Sequence, residues 1–101
     1  MLEGFQRKYL RGLAHGLKPL VYVGQKGLTD GVVASVDEVL ELHELIKVKF
    51  VDFKEKSQKE ELAAVIVKQT GSELAGIIGN IAIFYRQQQD PAKRTINLPQ
   101  K

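Results

Sequence analysis

The sequence contains no cysteine and no tryptophan, and only three prolines and two histidines among its 101 residues. Without cysteine the chain cannot form a disulfide scaffold, a thiolate zinc site, an iron–sulfur cluster or a cysteine nucleophile. Its apolar runs, including residues 62–67 and 81–85, are far shorter than the roughly 20 residues that a membrane helix needs. The first residues also lack the apolar core of a signal peptide. We therefore expect a cytoplasmic protein that makes no membrane contact.

Side chains that could support catalysis are also sparse. The histidines, His15 and His43, each stand alone beside apolar residues, and no serine, histidine and acid are spaced as a nucleophilic triad. The outer face of the second predicted helix carries four acidic residues, for which a solvated helix face is a better explanation than a set of metal ligands. These residues are Asp37, Glu38, Glu41 and Glu44. No enzymatic activity, no cofactor and no bound metal are expected.

The charge is distributed unevenly along the chain, although the net charge is only +3. Residues 1–26 carry five basic residues against one acidic residue, residues 27–61 carry five lysines against nine acidic residues, and residues 62–101 are basic again. A domain that separates its charges in this way can present a basic face, which attracts polyanions such as nucleic acid. Small domains also carry uneven charge for solubility alone, so the charge pattern leaves both interpretations open.

The length predicts a single domain over residues 1–101, with a core at about residues 5–86 and a partly mobile polar tail at 87–101. Hydrophobic periodicity predicts the element order α-β-α-β-α-β-β. The predicted elements are helix 2–14, strand 20–23, helix 29–44 capped by Thr29, strand 45–51, a helix from a Ser57 capping box to Thr70, and strands 74–78 and 81–86 joined by Gly79-Asn80. This order predicts an α/β domain in which helices pack on a small mixed four-stranded sheet.

The same patterns predict which side chains are buried. In the first helix the apolar stripe is expected to consist of Leu2, Phe5, Tyr9 and Leu13, widened by Leu10 and Leu17. In strand 45–51, alternation directs Lys47 and Lys49 away from the core. The strand aromatics are expected to lie mostly in the core rather than to stack on bases, and they are Tyr22, Phe84 and Tyr85. Both sides of strand 81–86 are apolar, so its buried face is not defined by alternation.

One short motif, Gly24-Gln25-Lys26-Gly27, has the features of a phosphate-binding loop. It is too short for a Walker A motif and does not match the dinucleotide fingerprint. It lies between a strand and a helix N-terminus, its glycines let a ligand approach the backbone, and Lys26 adds a positive charge. The KH module clamps single-stranded nucleic acid with such a GxxG loop. An ordinary tight turn has the same composition, so on this motif alone both interpretations stand.

Residues 13–29 closely resemble the corresponding part of the CRM domain family (chloroplast RNA splicing and ribosome maturation), whose stand-alone bacterial members are the YhbY-like proteins. Further blocks that agree are 41–49, 70–71, 78–79 continuing to 84–86, and 96–99. The resemblance therefore spans about residues 5–99. The polar segment 87–90 has no counterpart, and no role is assigned to it.

The resemblance implies an RNA-binding α/β domain, similar in fold to the C-terminal domain of a bacterial translation initiation factor. It also implies association with ribosomal RNA in large-subunit precursors, with ribosomal proteins nearby, and we expect the protein to act as a monomer. The residues expected to bind RNA are Gly24, Gln25, Lys26, Gly27, Arg7, Lys8, Arg11 and Lys18, extended by Lys47, Lys49 and Arg86. The alternatives are a KH-like binder of other RNA, a protein adaptor that docks through the acidic helix 29–44 and, more remotely, an enzyme acting on a phosphate ligand.

Overall fold

Three α-helices and four strands alternate along residues 2–100, the part of the chain that the computed structural model describes. The order is the predicted α-β-α-β-α-β-β, followed by one short turn of 3-10 helix. The elements are α1 (Gly4–Ala14), β1 (Val21–Val23), α2 (Asp30–Leu42), β2 (Leu45–Phe50), α3 (Lys56–Thr70), β3 (Glu73–Ile78), β4 (Ile81–Tyr85) and the 3-10 turn Pro91–Lys93.

The four strands form one mixed sheet in the order β1-β2-β4-β3, which confirms the predicted architecture. β1 and β2 are parallel, because helix α2 carries the chain back between them. β4 is antiparallel to both of its neighbours, β2 and β3. The β3–β4 hairpin turns at Gly79, whose φ of 59° is a conformation that favours glycine.

Helices cover both faces of the sheet, and this explains why β4 is apolar on both sides. α2 and α3 pack on one face, where they enclose alternate residues of β2, namely Ile46, Val48 and Phe50. α1 packs on the opposite face, called the α1 face below, over Leu45, Ile83 and Tyr85. Consecutive residues of β4 therefore alternate between two cores, and Phe84 and Tyr85 are both buried as expected.

The buried stripe of α1 matches the predicted one only in part, since Leu2 and Leu10 are buried as predicted. Its buried residues are Gln6, Leu10 and Ala14, whereas Tyr9 and Leu13 are 41% and 42% exposed. The buried residues are spaced four apart, so they form one row along the helix. The small Ala14 lets the helix approach the sheet closely. The bulkier row beside it faces the tail and solvent, so the prediction is wrong for Tyr9, Leu13 and Leu17.

The start of α3 also differs from its prediction. The helix begins at Lys56 after the N-cap residue Glu55, so the Ser57 capping box does not form. One turn into the helix, Lys59 is buried and its ammonium group donates a hydrogen bond to the Gly79 carbonyl at 3.1 Å. A tertiary contact of this kind leaves no signal in the local sequence, whereas a capping box is a purely local pattern.

The position of Glu44 also differs from the prediction, which placed it on the exposed face of helix 29–44. Glu44 lies outside α2 and is only 3% exposed. Its carboxylate accepts hydrogen bonds from the backbone N–H groups of Gln88, Thr95 and Ile96, at 2.7–3.1 Å. Burial by itself raises the pKa of Glu44, but these hydrogen bonds outweigh it and lower the pKa below its usual value. Glu44 thus holds the tail against the domain, and Ile96 and Leu98 pack beside the α1-face core. Partial mobility of the tail stays a prediction.

Candidate nucleic-acid interface

The GxxG loop, residues Gly24–Gly27, is a tight turn between β1 and α2. The Gly27 N–H donates to the Gly24 carbonyl at 2.9 Å, and Gly27 has a φ of 69°. The Thr29 N–H then donates to the Gly27 carbonyl at 3.2 Å. The Thr29 hydroxyl accepts from the Val32 N–H at 3.2 Å, which confirms Thr29 as the N-cap of α2. The loop is therefore anchored at both ends by hydrogen bonds.

The backbone of this loop faces open space. A Cβ atom built on either Gly24 or Gly27 would meet nothing within 4 Å. Gly27 needs glycine for its positive φ, but Gly24 has no such conformational requirement. Gln25 and Lys26 are exposed, and their N–H groups meet no acceptor elsewhere in residues 2–100. The loop thus offers backbone donors and one lysine to an approaching anion.

The strand registers place the GxxG loop at one end of the sheet, called the loop end below. Val23, the last residue of β1, lies opposite Phe50, the last residue of β2. The first residue of β4, Ile81, lies beside Lys49 at this same end. The opposite end, called the tail end, contains Leu45 and Tyr85. The six residues of β2 separate the two ends by about 17 Å, at ~3.3 Å per residue.

Several of the predicted basic residues lie toward the loop end. Lys47 and Lys49 alternate along β2 on the α1 face, as predicted. The Lys47 ammonium group donates to the carbonyls of His15 and Leu17 at 3.3 and 2.9 Å, and so supports the segment that leads into β1. Lys18 belongs to that segment and is exposed. The Leu20 N–H donates to the Lys47 carbonyl, so Lys18 precedes β1 on the side of the tail end, whereas Lys49 lies beside the strand that leads into the GxxG loop.

Arg11 crosses the sheet from α1 to β3. Its Nη1 donates to the Ala75 carbonyl at 2.9 Å. Its Cδ lies 2.7 Å from the position that a Cβ of Gly76 would occupy, so the side chain runs over that glycine. The guanidinium keeps its charge and further N–H donors, and it is half-buried. Arg11 therefore adds charge to the α1 face while it fastens α1 to the sheet.

Four of the predicted cations are exposed and make no hydrogen bond or ion pair with other residues in the range 2–100. They are Lys8, Lys18, Lys26 and Lys49. Lys8 lies on the outer side of α1, beside Phe5 and Pro99. Lys26 and Lys49 lie at the loop end, so their charge is available to a ligand there, whereas Lys18 lies toward the tail end.

Arg7 and Arg86 lie at the tail end, away from the loop. The Arg7 guanidinium donates to the Leu2 carbonyl at 2.7 Å, and the Leu2 N–H donates to Glu73 at 2.7 Å. Glu73 in turn lies opposite Tyr85 in the sheet. These contacts fix the N-terminal end of α1 over the tail end.

Arg86 is paired with two carboxylates of α2. Its guanidinium contacts the Asp37 carboxylate at 2.6 Å and the Glu41 carboxylate at 3.1 Å. It also donates to the Thr70 carbonyl at 2.8 Å, so it joins β4, α2 and α3. A contribution of Arg86 to RNA binding stays a prediction, and its acidic partners oppose it. These partners are more than forty residues away in sequence, which local patterns do not detect.

Tyr22 was expected in the core but is 57% exposed. Its neighbours in β1, Val21 and Val23, are buried on the α2–α3 face, so the middle residue points to the α1 face. Strict alternation in Val-Tyr-Val is the sequence signal that could have identified its orientation. Tyr22 lies opposite Lys49 in the register and two residues before Gly24. It therefore belongs to the surface around the loop.

Within residues 2–100 no group of three or more histidine or acidic side chains could hold a metal ion. None of the helices described combines the length and the apolar character that a membrane crossing requires. Asp37, Glu38 and Glu41 of α2 are exposed, as expected for a solvated helix face.

Known proteins share both the sequence and the fold of this chain. Residues 2–86 match the family described as the CRS1/YhbY (CRM) domain. An RNA-binding protein of Haemophilus influenzae is 42% identical over 96 residues, covering 95% of this chain and 93% of its own. The probable RNA-binding protein YqeI of Bacillus subtilis is 36% identical over 99 residues, covering 98% and 100%.

The solved structures include a close counterpart. It is the solution structure of a hypothetical Staphylococcus aureus protein put forward as RNA-binding, with a TM-score of 0.83 and 35% identity. The alignment covers 98% of this chain and all of that one. Both the sequence match and the shared fold extend through the GxxG loop and the sheet that carries it. The chain therefore belongs to the CRS1/YhbY (CRM) domain family.

Proposed function

We propose that this protein binds RNA through the GxxG loop and the basic loop end of the sheet, and that it has no enzymatic activity. The names of the Haemophilus influenzae and Bacillus subtilis relatives as RNA-binding proteins support this proposal. The observation that carries it is the loop itself, whose backbone faces open space at Gly24 and Gly27 beside the exposed Lys26.

A phosphate is the group that suits this loop. The unpaired N–H groups of Gln25 and Lys26 can donate to its oxygens, and Lys26 can neutralise its charge. The positive end of the α2 dipole adds a favourable potential at the same place. Lys49 supplies a further cation without losing an existing side-chain partner. RNA affinity should therefore come mainly from phosphate contacts and should fall steeply as salt rises.

We propose further that the RNA is ribosomal RNA in precursors of the large subunit, and that the protein assists their assembly in the cytoplasm as a monomer. This finer assignment rests on the resemblance of its sequence blocks to the stand-alone bacterial members of the family. Ribosomal proteins would then be its neighbours on the precursor. A KH-like binder of other RNA would have the same loop but a different RNA partner.

Sedimentation of a cell lysate on a sucrose gradient at low salt tests the ribosomal assignment. We expect the protein to peak with the large subunit or its precursors, and ribonuclease to abolish that peak. Protein found only at the top of the gradient would contradict the ribosomal assignment. RNA binding by the purified protein is tested separately, so the two levels of the proposal can fail independently.

A further inference from the structure

Four side chains line up across the sheet at the loop end of the α1 face. Tyr22 lies opposite Lys49, Lys49 lies opposite Ile81, and Ile81 lies opposite Ile78. Opposite residues in adjacent strands point to the same face of a sheet. This line, called the open row below, therefore crosses all four strands in the order β1-β2-β4-β3.

The open row lies beyond the part of the face that α1 covers. α1 ends at Ala14, and its buried residues cover Leu45, Ile83 and Tyr85. The segment that follows α1 accepts hydrogen bonds from Lys47, the residue of β2 that precedes Lys49 on this face. Tyr22 and Ile78, at the two ends of the row, are consequently 57% and 60% exposed. An exposed aromatic and an exposed isoleucine therefore lie on a part of the sheet that none of the described helices covers.

The charges around the open row favour a polyanion as its ligand. Lys49 lies within the row, is exposed and has no partner among residues 2–100. Arg11, His15 and Lys47 line a small cavity with Ile78 and Ile81. The strand residue of this face that carries a carboxylate, Glu73, lies at the tail end. The row is thus apolar and basic, which is the combination found on surfaces that stack nucleobases beside phosphates.

The open row is also continuous with the GxxG loop. Gly24 follows Tyr22 by two positions of extended chain, so the two residues are about 7 Å apart at ~3.3 Å per residue. An RNA strand with a phosphate bound to the loop would therefore bring a neighbouring base within reach of the Tyr22 ring. In a duplex the bases are stacked and paired, so they would not be available to the ring.

We propose that the open row binds single-stranded RNA, with one unpaired base stacked on Tyr22 and a phosphate paired with Lys49. Ile81 and Ile78 extend the apolar surface for the next base or sugar. The inference rests on the proposed RNA binding and adds to it that the RNA is unpaired at this position. Tyr22 supplies stacking, whereas Lys26 in the loop supplies charge.

A tryptophan reporter tests the stacking directly, because the natural chain contains no tryptophan. In Tyr22→Trp the indole replaces the ring at the open row, and in the control Tyr9→Trp it replaces a 41% exposed tyrosine on the outer side of α1. On titration with a short unstructured oligoribonucleotide at low salt, we expect quenching of Tyr22→Trp fluorescence and none of Tyr9→Trp. If RNA binds while Tyr22→Trp fluorescence is unchanged, the proposed stacking of a base at this position is wrong.

Affinity measurements separate stacking from charge. We expect Tyr22→Ala to weaken binding of the single-stranded probe about 5- to 150-fold, as alanine replacement of stacking aromatics does, and Tyr22→Phe to stay near the parent. Tyr22→Ala should leave the salt dependence and the weak binding of a matched duplex unchanged, whereas Lys26→Ala should flatten the salt dependence. Equal losses on single-stranded and duplex RNA would overturn the stacking.

The two proposals fail in different ways. If the parent binds RNA and Lys26→Ala weakens it, but Tyr22→Ala does not, the loop assignment stands and the open-row inference falls. If the parent binds no RNA at low salt, both fall. Circular dichroism of each variant checks that it is folded, and the folded Tyr22→Trp variant decides the question if Tyr22→Ala is not.

Discussion

The two ends of the sheet use their charged residues in opposite ways. At the tail end Arg86 and Glu44 are already engaged within the protein, since Arg86 contacts two carboxylates and Glu44 accepts backbone hydrogen bonds from the tail. At the loop end Lys26 and Lys49 are exposed and have no partner among the residues described. Formal charge therefore does not identify the binding surface, but the availability of that charge does. Substitutions at the tail end should change stability, and those at the loop end should change RNA binding.

The largest effect is expected at Glu44. Replacing it with alanine leaves the partly buried N–H groups of Gln88, Thr95 and Ile96 without their acceptor. At ~1–3 kcal/mol for each unsatisfied group, and with the tail free to relax, the free energy of unfolding should fall by about 2–4 kcal/mol. Urea denaturation measures this loss, and Glu41→Ala, in an exposed ion pair, is the matched control. RNA affinity should stay unchanged, and a large loss of affinity in the folded variant would contradict the division between the ends.

Acidification should weaken the hydrogen bonds between the Glu44 carboxylate and the tail. The pKa of Glu44 is lowered from 4.5 in the folded protein, so its carboxylate stabilises the fold above that pH. This contribution is lost as the pH falls through the lowered pKa. We therefore expect Glu44→Gln to be less stable than the parent at neutral pH, and the difference to shrink on acidification below 4.5. Urea denaturation of both proteins over this range checks it, and a constant difference would show that the charge of Glu44 is not what holds the tail.

Gly24 should have the largest effect at the loop end. Gly24→Asp places a carboxylate where no atom of residues 2–100, apart from its chain neighbours, would lie within 4 Å of the new Cβ, so the fold can accommodate it. The same carboxylate would repel a phosphate bound to the loop. We expect about a tenfold or greater loss of RNA affinity, about 1.4 kcal/mol, with an unchanged melting temperature. Gly27→Ala is the contrast, because its φ of 69° should cost about 1–2 kcal/mol of stability. Unchanged RNA binding by Gly24→Asp would make the loop an ordinary turn.

The sequence allowed the local features of this comparison to be predicted, but not the long-range ones. Alternation in β2 directed Lys47 and Lys49 away from the core, and Thr29 marked the start of α2, because each signal lies within a few residues. The partners of Arg86 and Glu44 are more than forty residues away, so both residues were read as exposed charges. The face of α1 was misread for the same reason, since packing against the sheet decides between two neighbouring apolar rows.

The salt dependence of RNA binding should distinguish Lys26 from a lysine elsewhere on the surface. Lys26→Ala should weaken RNA binding a few-fold and reduce the slope of log affinity against log salt by about 0.7–0.9, the value for one lost phosphate contact. Lys93→Ala removes an equally exposed lysine from the 3-10 turn of the tail and serves as the control. Fluorescence anisotropy with labelled RNA across a salt series measures both slopes. Equal slopes for the two variants would place the phosphate contact elsewhere than Lys26.

The smallest effect is expected at Asp30, whose replacement should lower the stability of the fold but raise its affinity for RNA. Asp30 lies in the first turn of α2 beside the loop, where its carboxylate favours the helix dipole but repels a bound phosphate. Asp30→Asn should therefore cost about 0.3–1 kcal/mol of stability and still raise RNA affinity about twofold at low salt. Glu60→Gln on α3 is the control, because it removes an exposed carboxylate from another helix without changing affinity. An affinity that falls together with stability would mean that Asp30 acts through the fold of the loop, whereas a rise despite lower stability would place the phosphate at the start of α2.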